Sequence, residues 1–227
     1  MATPRHELKY FISIADAPAL ESKLERALLS DSHGDDFNEY NVRSLYFDDL
    51  FNSAYHDKID GVRSRDKYRI RIYGHRDSEI FLERKRKMGD LIAKDDVRIT
   101  KRLAEQLIDG NPRGLETMEN PLLQDMFVQM RTKGLRPKVL VDYERTAFQH
   151  IAEHVRVTFD KRVRTGGTSI DLFDPDTLMT EVLTPGLMVL EVKYDRHLPD
   201  FIPPLLSSIP AQRAAISKYT LCRQYSV

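Results

Sequence analysis

The sequence predicts an α+β protein with a mainly antiparallel sheet or barrel, and three observations favour this class. At least seven segments have the apolar or alternating character of strands. Helical segments are inserted among them without the regular strand–helix alternation that builds a parallel sheet. No linker, shift in composition or internal repeat divides the 227 residues, so we treat residues 1–227 as a single domain.

The first third of the chain is predicted to be mostly β. The segment LKYFISI predicts a strand, and DAPALESKLERALL predicts a helix because Asp16 can cap it and Pro18 suits its first turn. Further strands are predicted in VRSLYFDD, RDKYRIRIYG and EIFLERKRK. Between the first two of these lies LFNSAYHDKIDG, which we expect to be an irregular loop with Lys58 as either a ligand or a surface residue.

The rest of the chain combines two short helices, three strands and a closing helix. TKRLAEQLIDGNP and ENPLLQDMFVQMRTKGLRP have caps and apolar stripes, and the second helix is expected to begin at Asn120-Pro121 and to stop at Gly134. Strands are predicted in PKVLVDYERTAFQ, HVRVTFDKRVRT and GLMVLEVKYD. The last helix is predicted in PAQRAAISKYTLCRQY.

Several predicted strands carry cations and an occasional carboxylate on one face. Alternation along a strand places Arg5, Glu7 and Lys9 on one side of the first strand, and Glu191 and Lys193 on one side of a late strand. One interpretation is a solvated outer face, where charged residues usually lie. The other is the interior of a barrel of about eight strands with helices outside, which has room for one small ligand. Arg and Lys in such an interior would match phosphates.

The carboxylates among these cations have two interpretations. Glu7 and Glu191 either compensate the surrounding positive charge or hold a divalent cation. Mg²⁺ typically binds one or two carboxylates together with phosphate oxygens of a substrate. The metal interpretation therefore fits the same ligand that the cations fit.

Eight short motifs resemble, in their order, the VTC domain, which is the polyphosphate polymerase branch of the CYTH-like triphosphate tunnel metalloenzymes. They are RHELKY, LYFDD with YHDKIDG after it, KYRIRIYG, LERKRK, RPKVLVDYERTAF, VRVTFD, VLEVKY and SKY. The resemblance extends from Arg5 to Tyr219 and implies a closed or nearly closed tunnel-like barrel of about eight antiparallel strands. Helices would pack outside this barrel, and the C-terminal helix would lie at one mouth.

The resemblance also implies transfer of the γ-phosphoryl group of ATP to a growing inorganic polyphosphate chain, with Mn²⁺ or Mg²⁺ as cofactor. The residues it assigns to catalysis are Arg69, Arg71, Lys85, Arg145, Lys193 and Lys218. Those assigned to phosphate binding are Arg5, Lys9, Lys67, Lys87 and Arg156. The implied metal ligands are Glu191 and Glu7.

Arg5 is a departure from the pattern of the hydrolytic relatives. Tunnel hydrolases of the CYTH type begin with Glu-x-Glu-x-Lys, and Arg5 replaces the first of those glutamates. Losing a carboxylate weakens a second metal site and adds a phosphate contact, which favours holding a chain over activating water. Two alternatives stay open: a triphosphatase acting on inorganic triphosphate or a nucleoside triphosphate, and a noncatalytic polyphosphate-binding module.

Composition adds expectations about partners and location. The 35 Lys and Arg balance 35 Asp and Glu, and no nucleic-acid-binding motif is present, so we expect no nucleic-acid partner. The apolar runs are shorter than the roughly 20 residues of a membrane span, and the start lacks a signal peptide, which predicts a cytoplasmic protein. The family's eukaryotic polymerases work in membrane complexes, so a membrane partner stays open, as does the oligomeric state.

Overall fold

One large antiparallel sheet dominates the computed structural model, which describes residues 3–31, 38–74 and 76–226. Within these residues the strands are β1 (His6–Ser13), β2 (Leu29–Ser30), β3 (Glu39–Asp48), β4 (Ser64–Tyr73), β5 (Ile80–Met88), β6 (Leu91–Ile99), β7 (Arg136–His150), β8 (Val155–Thr165), β9 (Thr180–Glu181), β10 (Leu187–Tyr194) and β11 (Ala211–Arg213). The helices are α1 (Ala17–Leu24), α2 (Ser53–Ile59), α3 (Lys101–Ile108), α4 (Pro121–Thr132), α5 (Ile202–Leu206) and α6 (Lys218–Arg223). The predicted α+β class is confirmed.

The strands follow one hydrogen-bonded path in the order β11, β1, β10, β8, β7, β3, β4, β5, β6, with β2 on β7 and β9 on β8. The start of β1, the second strand of this path, approaches β6 at the far end of the path, where Arg5 and Ile92 exchange backbone hydrogen bonds of 2.9 Å in each direction. This contact is an isolated bridge rather than a ladder between β1 and β6. The sheet is therefore not closed along its named strands, and the closed barrel implied by the resemblance is not confirmed.

Helices cover the apolar faces of the strands. Leu45, Ile70 and Leu82 from β3, β4 and β5 are fully buried in the cluster that contains Leu107 of α3 and Met126 of α4. A second cluster joins α1 and α5 to β8 and β10, and a third includes residues of α6. Burying each such side chain contributes about 1.5–3 kcal/mol. Since the apolar faces pack on helices, the polar faces of the same strands point away from them.

The start of α4 agrees with the sequence prediction. Asn120 Oδ1 accepts the backbone N–H of Leu122 at 2.9 Å, and Pro121 occupies the first turn. Gly134, which follows the helix, has φ +66°, a left-handed conformation that favours glycine. Local capping chemistry thus fixes both ends of this helix. Within the described residues, no helix has the length and apolar character that a bilayer crossing requires.

Two segments differ from their prediction, one in its type of secondary structure and the other in its length. LFNSAYHDKIDG is not irregular: Asp48 and Asp49 accept the backbone N–H groups of Ala54 and Ser53 at 2.9 Å, and these contacts begin helix α2. The predicted last helix is shorter than expected, because residues 211–213 pair with β1 as β11. Ser217 then caps α6, its Oγ accepting the N–H of Thr220 at 3.3 Å.

Strand β6 was missed because its charges hide the strand pattern. Lys94, Asp95 and Asp96 interrupt the alternation of LIAKDDVRI. The structure pairs Asp95 with Arg84 of β5, whose Nη2 donates to Asp95 Oδ2 at 2.9 Å. Cross-strand ion pairing, which a local pattern does not show, therefore stabilises this hairpin.

Candidate functional site

The polar faces of the strands surround a cavity of ≈ 630 Å³. This volume lies within the range of small-molecule binding sites. Fifteen Lys and Arg residues and three Glu residues line it within the described part of the chain. Every residue that the sequence predicted for the site lies in this lining, although the roles assigned to these residues stay predictions.

Strand alternation explains how the cations reach the cavity. In β4, Lys67, Arg69 and Arg71 line the cavity, whereas Tyr68 and Ile70 are buried in the core on the other side. The charged face of β4 therefore borders the cavity, and its apolar face packs in the hydrophobic core. The same alternation places the charged residues of β1, β5 and β10 in the lining.

Glu7 and Glu191 lie on neighbouring strands and share lysines. Lys9 Nζ is 3.6 Å from Glu7 Oε2 and 3.2 Å from Glu191 Oε1. Lys193 Nζ is 3.4 Å from Glu191 Oε2, and Lys85 Nζ donates to Glu7 Oε2 at 2.6 Å. Burial by itself would raise the pKa of Glu191, but Lys193 and Lys9 outweigh it and hold that pKa well below its usual range. Glu191 is therefore an anion at neutral pH.

Asp160 holds two further predicted site residues. Its carboxylate is completely buried and accepts both Nε and Nη2 of Arg145, at 2.6 and 2.9 Å, in a bidentate contact. Lys218, on α6, forms an ion pair with the same carboxylate. Burial favours a higher pKa for Asp160, yet Arg145 and Lys218 lower it. Asp160 therefore fixes the two cations against the cavity wall.

Glu83 holds another group of cations by ion pairing, as Asp160 does. Arg69 Nη2 lies 2.7 Å and Lys94 Nζ 2.8 Å from its carboxylate oxygens, and Arg71 forms an ion pair with it. Glu83, Lys94 and Asp160 are not among the residues that the sequence predicts for the site. Alternation gave a signal for Glu83, which shares a strand face with Lys85, and for Asp160, which shares a strand face with Arg156. Lys94 had no such signal, because it lies in β6, a strand that the sequence did not predict.

Several lining cations form no ion pair within the described residues. They are Arg5, Lys58, Arg65, Lys67, Lys87 and Arg213. Lys58, which was expected to be either a ligand or a surface residue, lines the cavity from α2, and Arg65 was missed. Arg156 also lines the cavity and forms an ion pair with Asp31. The cavity thus contains both compensated and uncompensated cations, and the second group makes it strongly positive.

Tyrosine rings form another part of the lining, which the sequence did not predict. Lys218 Nζ lies 4.8 Å from the ring centre of Tyr143, and Lys67 Nζ lies 4.9 Å from that of Tyr219. A cation at this distance is attracted by the aromatic face. The rings therefore orient the lysines without neutralising them.

The carboxylates fit a divalent metal only in part. Among the described residues, no three His, Cys, Asp or Glu side chains are arranged to hold a metal ion by themselves. Glu7 and Glu191 nevertheless offer adjacent carboxylate oxygens to the cavity, bridged by Lys9 and Lys193. Mg²⁺ and Mn²⁺ prefer oxygen ligands, and Mg²⁺ is commonly held by one or two carboxylates plus phosphates. The donor set fits a metal that arrives with a phosphate ligand.

Fold and site together define an antiparallel-sheet protein with a cation-lined internal cavity. The family model described as the VTC domain matches residues 4–227, and the chain belongs to this family. The family that the eight motifs indicate is thus confirmed. No curated protein matches the chain.

Solved structures share the fold at low sequence identity. A candidate adenylyl cyclase from Hippeastrum, HpAC1, described as having a dominant triphosphatase activity, has a TM-score of 0.59 and 13% identity, with 98% of this chain and 97% of that chain covered. A candidate adenylate cyclase from Bacillus halodurans has a TM-score of 0.51 and 13% identity, with coverages of 91% and 87%. A chain of the Schizosaccharomyces pombe Mediator head module has a TM-score of 0.53 and 8% identity, with coverages of 93% and 100%. These similarities concern the fold.

Proposed function

We propose that the chain is an ATP-dependent polyphosphate polymerase. It would transfer the γ-phosphoryl group of ATP to a growing inorganic polyphosphate chain inside the cavity. The observation that carries the proposal is the lining, where fifteen Lys and Arg residues face three Glu residues within the described part of the chain. A polyanionic donor and a polyanionic acceptor are the ligands that such a lining favours.

Phosphoryl transfer of this kind depends on positioning and on stabilising charge. Donor and acceptor phosphates repel each other, and fixed cations offset this repulsion as the phosphates approach. Arg69 and Arg71 are held by Glu83, and Arg145 is held by Asp160, so these guanidinium groups are oriented before a ligand binds. The acceptor is itself an anionic phosphate, so the protein need not supply a nucleophile.

A divalent metal, Mn²⁺ or Mg²⁺, is part of the proposal. Glu191 would hold it together with Glu7, and when bound it would neutralise charge on the transferred phosphoryl group. Lys193 and Lys9 hold Glu191 in its charged form, which is the form that a metal requires. The lysines also contact the same carboxylates and would exchange partners when a phosphate enters.

The proposal includes a tunnel that encloses the reacting phosphates. The Arg5–Ile92 bridge supports it, because this contact joins the start of β1 to β6, the last strand of the path, beside the cavity. Helices α2 and α6 supply Lys58 and Lys218 to the lining, which supports a place for α6 at one mouth. Arg5, in the position of a hydrolase glutamate, supports chain building over hydrolysis.

The test is incubation of the purified chain with ATP and Mn²⁺, followed by gel analysis for polyphosphate. We expect polymer from the wild type and at least a tenfold loss with Arg71→Ala or Glu191→Gln. Arg162→Ala is the matched control, because Arg162 is exposed and pairs with Glu144 and Glu181 outside the cavity. Absence of polymer, while a known polymerase makes it under the same conditions, contradicts the proposal.

A triphosphatase is the second candidate. The fold similarity to the Hippeastrum protein with its described triphosphatase activity favours it. Release of free phosphate from ATP or inorganic triphosphate without polymer would select this candidate. Tight polyphosphate binding without turnover, unchanged in Glu191→Gln by calorimetry, would instead indicate a noncatalytic binding module.

A further inference from the structure

A serine hydroxyl lies beside a lysine amine inside the cavity. Ser217 is the only Ser or Thr among the described lining residues, and its Oγ is 2.9 Å from Lys67 Nζ. The two residues come from distant parts of the chain, the end of the loop before α6 and the middle of β4. The proposed transfer to polyphosphate does not require this hydroxyl.

Hydrogen bonding leaves the serine proton free to move toward Lys67. Ser217 Oγ accepts the backbone N–H of Thr220 at 3.3 Å and the Thr220 hydroxyl at 3.0 Å. Lys67 Nζ, while it is protonated, donates to the same oxygen at 2.9 Å. Once the amine is neutral, the hydroxyl of Ser217 can donate its own proton to it.

The surroundings of Lys67 favour its neutral amine, which can accept a proton. It forms no ion pair within the described residues, although Lys9 and Lys85 lie near it in the lining. Burial, and then repulsion by Lys9 and Lys85, lower the pKa of Lys67 well below its usual range. A lysine amine in such a setting loses its proton readily and can act as a general base.

We propose that Ser217 is a self-phosphorylation site, whose Oγ takes the γ-phosphoryl group of ATP bound in the cavity while Lys67 accepts the hydroxyl proton. This inference rests on the proposed function, since that function brings ATP into the cavity. A bond forms between Oγ and the γ-phosphorus. The bond from that phosphorus to the oxygen bridging the β-phosphate breaks, and its electron pair leaves with ADP. The products are phosphoserine, ADP and protonated Lys67.

The test labels the whole chain with ATP carrying ³²P at the γ position, in the presence of Mn²⁺. Polyphosphate is digested with an exopolyphosphatase, the protein is denatured, and tandem mass spectrometry locates the remaining phosphoryl group. We expect acid-stable label on Ser217. Acid stability separates phosphoserine from phosphate carried on lysine or histidine nitrogen.

Variants that keep the fold distinguish loss of the phosphorylated hydroxyl from loss of structure. Ser217→Asn removes the hydroxyl but keeps a capping side chain, so we expect a folded protein without label. Ser207→Ala, at an exposed serine, should keep the label. Lys67→Arg keeps the positive charge but cannot accept the proton, so we expect labelling to slow by at least about tenfold. Circular dichroism checks that each variant is folded.

The outcomes separate this inference from the proposed function. Polymer formation without label on Ser217 overturns the inference and leaves the polymerase proposal standing. Label on another residue, or equal labelling in Lys67→Arg, also overturns the inference. Label on Ser217 without polymer supports the inference and contradicts the polymerase proposal. If neither polymer, free phosphate nor label is produced, the proposed function fails and the inference fails with it.

Discussion

Glu83 shows how one buried carboxylate can hold several of the cations that line the cavity. Arg69, Arg71 and Lys94 all contact it, and it is only 1% exposed. Burial would raise the pKa of Glu83, but Arg69 and Arg71 lower it far below the usual range. The cations would repel one another without this anion, so Glu83 is a positioning residue.

Replacing Glu83 should therefore cost stability. We expect Glu83→Gln to lose on the order of 3 kcal/mol in the free energy of unfolding, because buried cations lose their partner. Urea unfolding at neutral pH measures this loss. The control is Asp96→Asn, which removes a half-exposed carboxylate 3.2 Å from the same Lys94 and should change stability by less than about 0.5 kcal/mol. Equal losses in both variants would rule out a special role for Glu83.

The same carboxylate predicts how stability depends on pH. The pKa of Glu83 is lower in the folded state than its ordinary value of 4.5, so its contribution is complete above that value. It is lost as the pH falls below 4.5 toward the folded-state pKa. We expect the urea midpoint of the wild type to fall more steeply with acidification than that of Glu83→Gln. Parallel curves for the two proteins would contradict this prediction.

At the level of elements, Asp48 joins the two helices beside the cavity. Its Oδ1 accepts the N–H of Ala54 at 2.9 Å at the start of α2, and its Oδ2 accepts the hydroxyl of Tyr219 in α6. Burial, followed by the charge of Asp48, raises the pKa of Tyr219, so the tyrosine remains a donor. Lys218, the residue before Tyr219, lies on the same helix, so this link also holds the helix that carries Lys218 beside the cavity.

Removing only the hydroxyl tests the link. We expect Tyr219→Phe to lose about 1–3 kcal/mol of unfolding free energy, because the buried carboxylate loses a donor. The denaturant midpoint should fall while the slope of the transition stays unchanged. Tyr225→Phe, at a tyrosine that is 57% exposed, serves as the control and should leave the midpoint where it is.

At the level of the whole molecule, the Arg5–Ile92 bridge decides how far the strand path surrounds the cavity. Arg5 contributes a backbone N–H and C=O to this bridge and a guanidinium group to the lining. These two contributions can be separated by mutation. The backbone part concerns the enclosure of the cavity, and the side-chain part concerns the proposed binding of phosphate.

Arg5→Pro removes the backbone N–H together with the side chain, whereas Arg5→Ala removes the side chain alone. We expect both variants to bind tripolyphosphate more weakly by calorimetry. Only Arg5→Pro should lose a further ~1 kcal/mol of stability and show faster hydrogen exchange in β6, because it loses the bond to Ile92. Identical exchange in the two variants would show that the bridge does not hold β6 against the start of β1.

The separation of charge within a neutral chain also has a measurable consequence. Lys and Arg balance Asp and Glu overall, yet the cavity lining is strongly cationic. We expect affinity for tripolyphosphate to fall at least about tenfold between roughly 0.1 M and 1 M NaCl, since salt screens these charges. Calorimetry at several salt concentrations measures the change, and salt-independent binding would show that the cations do not dominate.

The sequence by itself determined the features that depend on local geometry. A strand repeats every two residues, so alternation alone placed Lys67, Arg69 and Arg71 on one face. The caps of α4 were predictable because Asn120 and Gly134 act on neighbouring backbone groups. The order of the family motifs was also in the sequence.

Only the tertiary structure decided which distant residues meet. Strand β6 depends on ion pairs with β5, and Asp160 holds Lys218 from 58 residues away in the chain. Lys67 and Ser217, separated by 150 residues, are neighbours because α6 packs against the strands. Register and packing between remote segments set these contacts, and local periodicity carries no information about them.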